Sequence, residues 1–188
     1  MDRVGVEGGT SSYFRLSTRP VDPALAAVPD DEALAERRRQ QAVAGGYRLP
    51  APHPASEEDV TLVGVGAIMP EVLAAADALA AEGINAGVVC LTSPDLVFRS
   101  FQQRGRRTAG VGSGILDQLF PAERPVPLVT VLDGHPHTLS FLAGARGDRI
   151  HCLGVTEFGQ SSDLTDAYRL HHIDTGAITD AALTLLRR

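Results

Sequence analysis

Val60-Thr61-Leu62-Val63-Gly64-Val65-Gly66 decides the fold. It is a continuous apolar run of strand length, which reads as a strand buried on both faces. Three further runs repeat it: AGVVCLT at 86–92, PLVTVLD at 127–133 and RIHCLGV at 149–155. Helical stretches separate them. After the first run, Val72, Leu73, Ala76, Leu79 and Ala80 recur at helical spacing until Gly83. Pro94 to about Gln103 forms the next helix, opened by Ser93 with proline in the first turn. Residues 136–145, 162–170 and 175–187 complete the helical set. Doubly buried strands alternating with helices imply an α/β three-layer sandwich on a mostly parallel sheet. In such sheets functional surface gathers beyond the carboxyl ends of the strands. Those ends carry Gly64–Gly66, Thr92-Ser93, Asp133-Gly134-His135 and Thr156-Glu157-Phe158-Gly159.

The pattern stops upstream of residue 60. Residues 30–59 read as a helix and a Pro-rich linker. The helix runs from Asp30 to about Ala44, capped by Asp30 or Asp31 and stopped by Gly45-Gly46. Pro50, Pro52 and Pro54 mark the linker. Residues 1–29 form an arm with one strand-like run, Tyr13-Phe14-Arg15-Leu16-Ser17. A lone strand is not stable. It must pair with an edge of the main sheet or complete a sheet in another polypeptide. The remaining 60–188 form the main domain.

Composition removes several classes of chemistry. All 17 basic residues are arginine, and tryptophan is absent. Without lysine there is no Schiff-base catalysis and no Walker-type phosphate loop. Arginine serves as well as lysine on a solvated surface, so the bias itself reads as a genomic habit. The net charge of −6 gives no field favouring nucleic acid. No apolar run reaches the ~18 residues that span a bilayer, and MDRVGVEGGTSS has no signal core, so a cytoplasmic location is expected. Cys90 and Cys152 sit alone in apolar stretches and read as two buried free thiols.

Other motifs are weaker. Gly64-x-Gly66 follows a strand and precedes a helix, but Met69 stands where a dinucleotide fingerprint needs its third glycine. No acidic residue ends the second strand, so a tight strand-to-helix turn is the better reading. Asp133-Gly134-His135-Pro136-His137 could transfer protons or form a polar subunit interface; a metal site would need more ligands. His171-His172 face different ways on a helix and chelate poorly. Gly112-Ser113-Gly114 follows no strand and is no nucleophile elbow. Arg104, Arg106 and Arg107 read as a solvated, Gly-rich loop.

Several landmarks, in order, resemble the C-terminal region of thiamine-diphosphate enzymes of the transketolase and pyruvate dehydrogenase family. Leu16-Ser17-Thr18-Arg19 resembles the family's Leu-Ser-Arg after the last strand of the pyrimidine-binding domain, with Thr18 inserted. RRRQQAVAGGYRL at 37–49 resembles the linker ending in Gly-Gly-Tyr. Val60 to Ser93 resembles the first strand-helix-strand of the C-terminal domain, with Gly64-Val65-Gly66 in its Gly-Ser/Thr-Gly turn and Thr92-Ser93 at the next strand end. Gly154 to Ser161 resembles its Phe-Gly-x-Ser signature, and Ile173 to Leu186 its final helix.

The resemblance implies a stand-alone subunit of a split enzyme. Residues 1–29 would complete a partner's pyrimidine-binding domain. A larger subunit would carry the two thiamine-binding domains, with thiamine diphosphate and magnesium bound there, in a hetero-oligomer with a dimeric core. The enzyme would cleave and transfer a ketol or acyl unit from a sugar phosphate or 2-oxoacid, with the cofactor as electron sink. Ser17 and Arg19 are then expected at the substrate, and His135 and His137 as catalytic proton carriers. The chain would not be catalytic alone. A non-catalytic assembly or regulatory module of the same fold is the alternative.

Overall fold

The four apolar runs become neighbouring strands of one sheet. In the computed structural model, which describes residues 19–50, 57–104, 114–123, 125–159 and 161–187, they are joined by a fifth, shorter strand. In chain order the strands are β1 (Gly46–Arg48), β2 (Val60–Val65), β3 (Ala86–Leu91), β4 (Leu128–Leu132) and β5 (Ile150–Leu153). Their spatial order is β1-β3-β2-β4-β5. The β2–β3, β2–β4 and β4–β5 pairs are parallel, and β1 runs antiparallel along the edge of β3. The helices are α1 (Glu32–Ala44), α2 (Met69–Ala81), α3 (Pro94–Arg104), α4 (Ile115–Leu119), α5 (Ala143–Arg146), α6 (Leu164–Leu170) and α7 (Thr175–Leu186).

Successive strand residues point to opposite faces. Leu62, Val88, Val129 and Val131 therefore enter one core with α2 and α7. Val63, Val89, Leu128 and Leu132 enter the other, with Val97 of α3, Leu116 of α4 and Leu142. Helices cover both faces, giving the three layers. Val72 and Leu79 of α2 are fully buried, and burying each contributes about 1.5–3 kcal/mol. Asp31, not Asp30, caps α1: its Oδ1 accepts from the Leu34 amide at 2.9 Å.

The structure refines the sequence reading at five places. Gly46–Arg48, read as linker, is a sheet strand, pairing Tyr47 with Cys90. It is too short to show a pattern, and Gly46 is there because a Cβ would come within 2.8 Å of the Cys90 carbonyl oxygen. Ile115–Leu119, to which the sequence pattern assigns no element, is a helix. Its Ile115, Leu116 and Leu119 are buried. Arg104 ends α3, where its guanidinium pairs with Asp117 at 3.1 Å and donates to the Ala145 carbonyl. The expected helical stretch 136–145 is helical, as a 3-10 helix over Pro136–Leu142 that continues into α5. Cys90 is buried as expected, but Cys152 is only half-buried because β5 is the opposite edge strand.

The strand-like run Tyr13–Ser17, the linker prolines Pro52 and Pro54, and the loop residues Arg106 and Arg107 lie outside the described residues. Among the described residues no helix is long and apolar enough to cross a membrane.

Candidate functional site at the carboxyl ends of the strands

The turn after β2 has two glycines with different tasks. A Cβ on Gly64 would come within 2.6 Å of Met69 Sδ and 2.8 Å of Val72 Cγ2, so Gly64 lets α2 pack closely on the strand. Gly66 sits at φ +71°, in the left-handed region, with open space around it. The pair thus builds the tight strand-to-helix turn. Glu71, in the first turn of α2, places a carboxylate where a bound phosphate would be favoured by the helix dipole.

Arg19 occupies this turn. Its Nη1 donates to Glu71 Oε2 at 2.7 Å and to the Ala67 carbonyl at 3.0 Å. Its Nη2 donates to Glu71 Oε1 at 2.9 Å, which makes the pair bidentate. The guanidinium lies 5.5 Å from the ring centroid of Tyr168, on α6. The Glu71 hydrogen bond pushes the Arg19 pKa above the ordinary arginine value, against the opposing effect of burial. Burial raises the Tyr168 phenol, and the Arg19 hydrogen bond partly offsets that rise. Arg19, Glu71, Leu164, Tyr168 and Asp174 line a hollow of about 250 Å³.

Two of the other strand ends are tied to each other. The Val155 amide donates to the Gly134 carbonyl at 2.8 Å, which ties the loop after β5 to the loop after β4. Asp133 raises the Tyr168 pKa through its charge. His135 and His137 are exposed, with ring centroids 6.3 Å apart. His135 Nδ1 accepts from the His137 amide at 3.2 Å and caps the 3-10 turn. In the neutral ring the proton is then on Nε2. Phe158, in the loop after β5, is 100% exposed.

Of the four expected site residues, the structure places His135, His137 and Arg19 at the carboxyl ends of the strands. Ser17 lies outside the described residues. Glu71 and Tyr168, the partners of Arg19, were not singled out in the sequence. An acid in the first turn of a helix reads as an ordinary dipole partner, and only the long-range contact gives it a role. Among the described residues no three His, Cys, Asp or Glu side chains converge on a point that could hold a metal ion. Among the described residues a diphosphate–magnesium group finds no fit: the Arg19 guanidinium at the α2 turn is already held by Glu71, with Asp174 on the same hollow.

Comparisons with solved structures agree in fold. A split-gene transketolase solved as an inactive β4 tetramer superposes with a TM-score of 0.50 at 19% identity, covering 77% of this chain and 43% of that one. The transketolase of Pichia stipitis in complex with sedoheptulose 7-phosphate gives 0.55 at 20% identity, over 79% of this chain and 19% of that one. The Leishmania mexicana transketolase gives 0.53 at 19% identity, over 79% and 19%. The chain thus spans less than half the length of each of these transketolases. No curated protein sequence matches it. The profile of the transketolase-like TK C-terminal domain matches residues 45–174, from the glycine before β1 to the cap of α7, and the chain belongs to that family.

Proposed function

We propose that the chain is the C-terminal subunit of a split, thiamine diphosphate-dependent enzyme of the transketolase type, working in the cytoplasm. The larger subunit holds thiamine diphosphate and magnesium, and the complex is a hetero-oligomer with a dimeric core. It cleaves the bond beside a carbonyl and transfers a ketol unit from a sugar phosphate; acyl transfer from a 2-oxoacid, as in pyruvate dehydrogenase, is the second substrate class. The observation that carries this reading is the family match over residues 45–174, on a chain that also superposes on part of a split-gene transketolase.

The chain's own contribution is to support assembly and to complete the partner. Residues 1–29 complete the partner's pyrimidine-binding domain, 30–59 link, and 60–188 form the C-terminal domain. Ser17 and Arg19 stand at the substrate end of the arm. A substrate phosphate would have to displace the Glu71 carboxylate from Arg19. His135 and His137, exposed at the end of β4, are the proposed proton carriers, with His135 Nε2 the nitrogen left to act outward.

The test is reconstitution with a larger chain that carries the two thiamine-binding domains of a transketolase. The mixture is expected to transfer ketol units between sugar phosphates, and neither chain alone to do so. Tight thiamine diphosphate binding by this chain alone, seen by calorimetry, would overturn the proposal. A complex that forms with cofactor bound yet stays inactive would convert it to a non-catalytic assembly module.

A further inference from the structure

The groups around Arg19 form a socket shaped for a guanidinium. Glu71 presents both carboxylate oxygens, at 2.7 and 2.9 Å, and the Ala67 carbonyl adds a third acceptor at 3.0 Å. The Tyr168 ring centroid lies 5.5 Å from the guanidinium carbon. A planar fork of N–H donors meets a carboxylate edge and an aromatic face together; a compact ammonium does not.

The core, not Arg19, holds this socket in shape. Ala67 lies in the turn after β2, Glu71 in the first turn of α2 and Tyr168 on α6. Tyr168 packs in the same buried cluster as Met69 and Val72 of α2. Gly64 lets those two side chains seat directly on β2. The acceptors therefore keep their places when Arg19 leaves.

The hollow has room and charge for a ligand. About 250 Å³ lies open beside Arg19, which suits a small molecule. Its lining holds two carboxylates, Glu71 and Asp174, against one guanidinium, so its balance favours a cation over an anion.

We propose that the turn before α2 is a binding site for small guanidinium compounds, and that Arg19 is the ligand the chain supplies from within. An outside guanidinium takes the Glu71 fork, the Ala67 carbonyl and the Tyr168 face once Arg19 withdraws. Arg19, tethered to the chain, competes at an effective concentration of roughly millimolar, so outside ligands bind the wild-type chain weakly. This binding site stands apart from the subunit reading: neither falls with the other.

The experiment titrates ethylguanidine into the full-length chain, read by calorimetry and by melting temperature. Arg19→Ala is expected to bind it at least about tenfold more tightly than wild type, since the internal competitor is gone. Its melting temperature should rise with ligand, which reads binding even in a destabilised variant. Arg19→Gln is the second variant should Arg19→Ala not fold; it removes the cation and is expected to behave in the same direction. Arg19→Ala/Glu71→Gln should lose the binding. Ethylammonium should bind Arg19→Ala more weakly than ethylguanidine does. Equal binding to wild type and Arg19→Ala puts the ligand elsewhere and overturns the proposal. So does an absence of binding to Arg19→Ala, or binding that survives in Arg19→Ala/Glu71→Gln. Equal binding of ethylammonium makes the hollow a general cation trap and overturns the guanidinium assignment.

Discussion

Removing the carboxylate that holds Arg19 should release a coupling energy large enough to measure. The Arg19–Glu71 pair is bidentate at 2.7 and 2.9 Å, with side chains only 22% and 17% exposed. Two unit charges about 4 Å apart attract by about 4 kcal/mol at an effective dielectric of about 20. Desolvation and the ordering of two long side chains take back much of that, and hydrogen bonds to charged groups net about 1.5–3 kcal/mol. A coupling of about 1.5 kcal/mol follows, above the ~0.2–1 kcal/mol of exposed pairs. Arg19→Ala should cost more than this alone, since it also loses the Ala67 carbonyl and the Tyr168 ring.

The assay is a double-mutant cycle in urea with Arg19→Ala, Glu71→Ala and both. The double variant should be more stable than the sum of the single losses by the coupling energy. For a chain of this size each kcal/mol corresponds to about 2–4 °C in melting temperature. Glu71→Gln should fall between wild type and Glu71→Ala, since it keeps an acceptor but not the charge. The cycle also bears on the site: inorganic phosphate should raise the melting temperature of Glu71→Ala more than that of wild type, because the freed guanidinium can take it. Single losses that add to within about 0.3 kcal/mol would refute the argument that the two side chains act as one unit.

Gly64→Ala should destabilise by about 1–3 kcal/mol, since its Cβ would overpack Met69 and Val72, and denaturant melts should show it; a neutral effect would return Gly64 to the list of candidate ligand contacts. Tyr47 should titrate far above a free tyrosine. Burial, then the neighbouring Cys90, pushes its pKa up to about 12. A raised phenol stabilises the fold fully below the unfolded value near 10 and loses that contribution as pH rises through about 12, so phenolate absorbance and stability should change together in that window.

β2, β3 and β4 were legible because each is buried on both faces and therefore almost wholly apolar, and β5, a half-buried edge strand with His151 exposed, because Ile150, Cys152 and Leu153 keep its run apolar. β2, β3, β4 and β5 fall within the runs that begin at Val60, Ala86, Pro127 and Arg149. β1 was not legible, because three residues on an edge make no pattern. Its place depends on Gly46 admitting the Cys90 carbonyl, a contact between residues far apart in sequence. α4 is one turn and a half long, too short to show a period, and is held by burial of Ile115, Leu116 and Leu119 and by Asp117 Oδ2, which accepts from the Gly114 amide at 3.2 Å.

The site was legible only in part, and Arg19 shows why. Residue type and spacing determine what a side chain can bind; they do not determine which of several competitors takes it. The family's arginine sits after Leu-Ser, and here Thr18 moves Arg19 one position later. Glu71, 52 positions away, then meets it with both carboxylate oxygens. A bidentate carboxylate offers the guanidinium the same planar fork a phosphate would, without the entropy loss of capturing a free ligand. Whether an outside anion reaches Arg19 is therefore decided by Glu71, and for Glu71 to let go, the opening must be compensated by something that engages both groups at once.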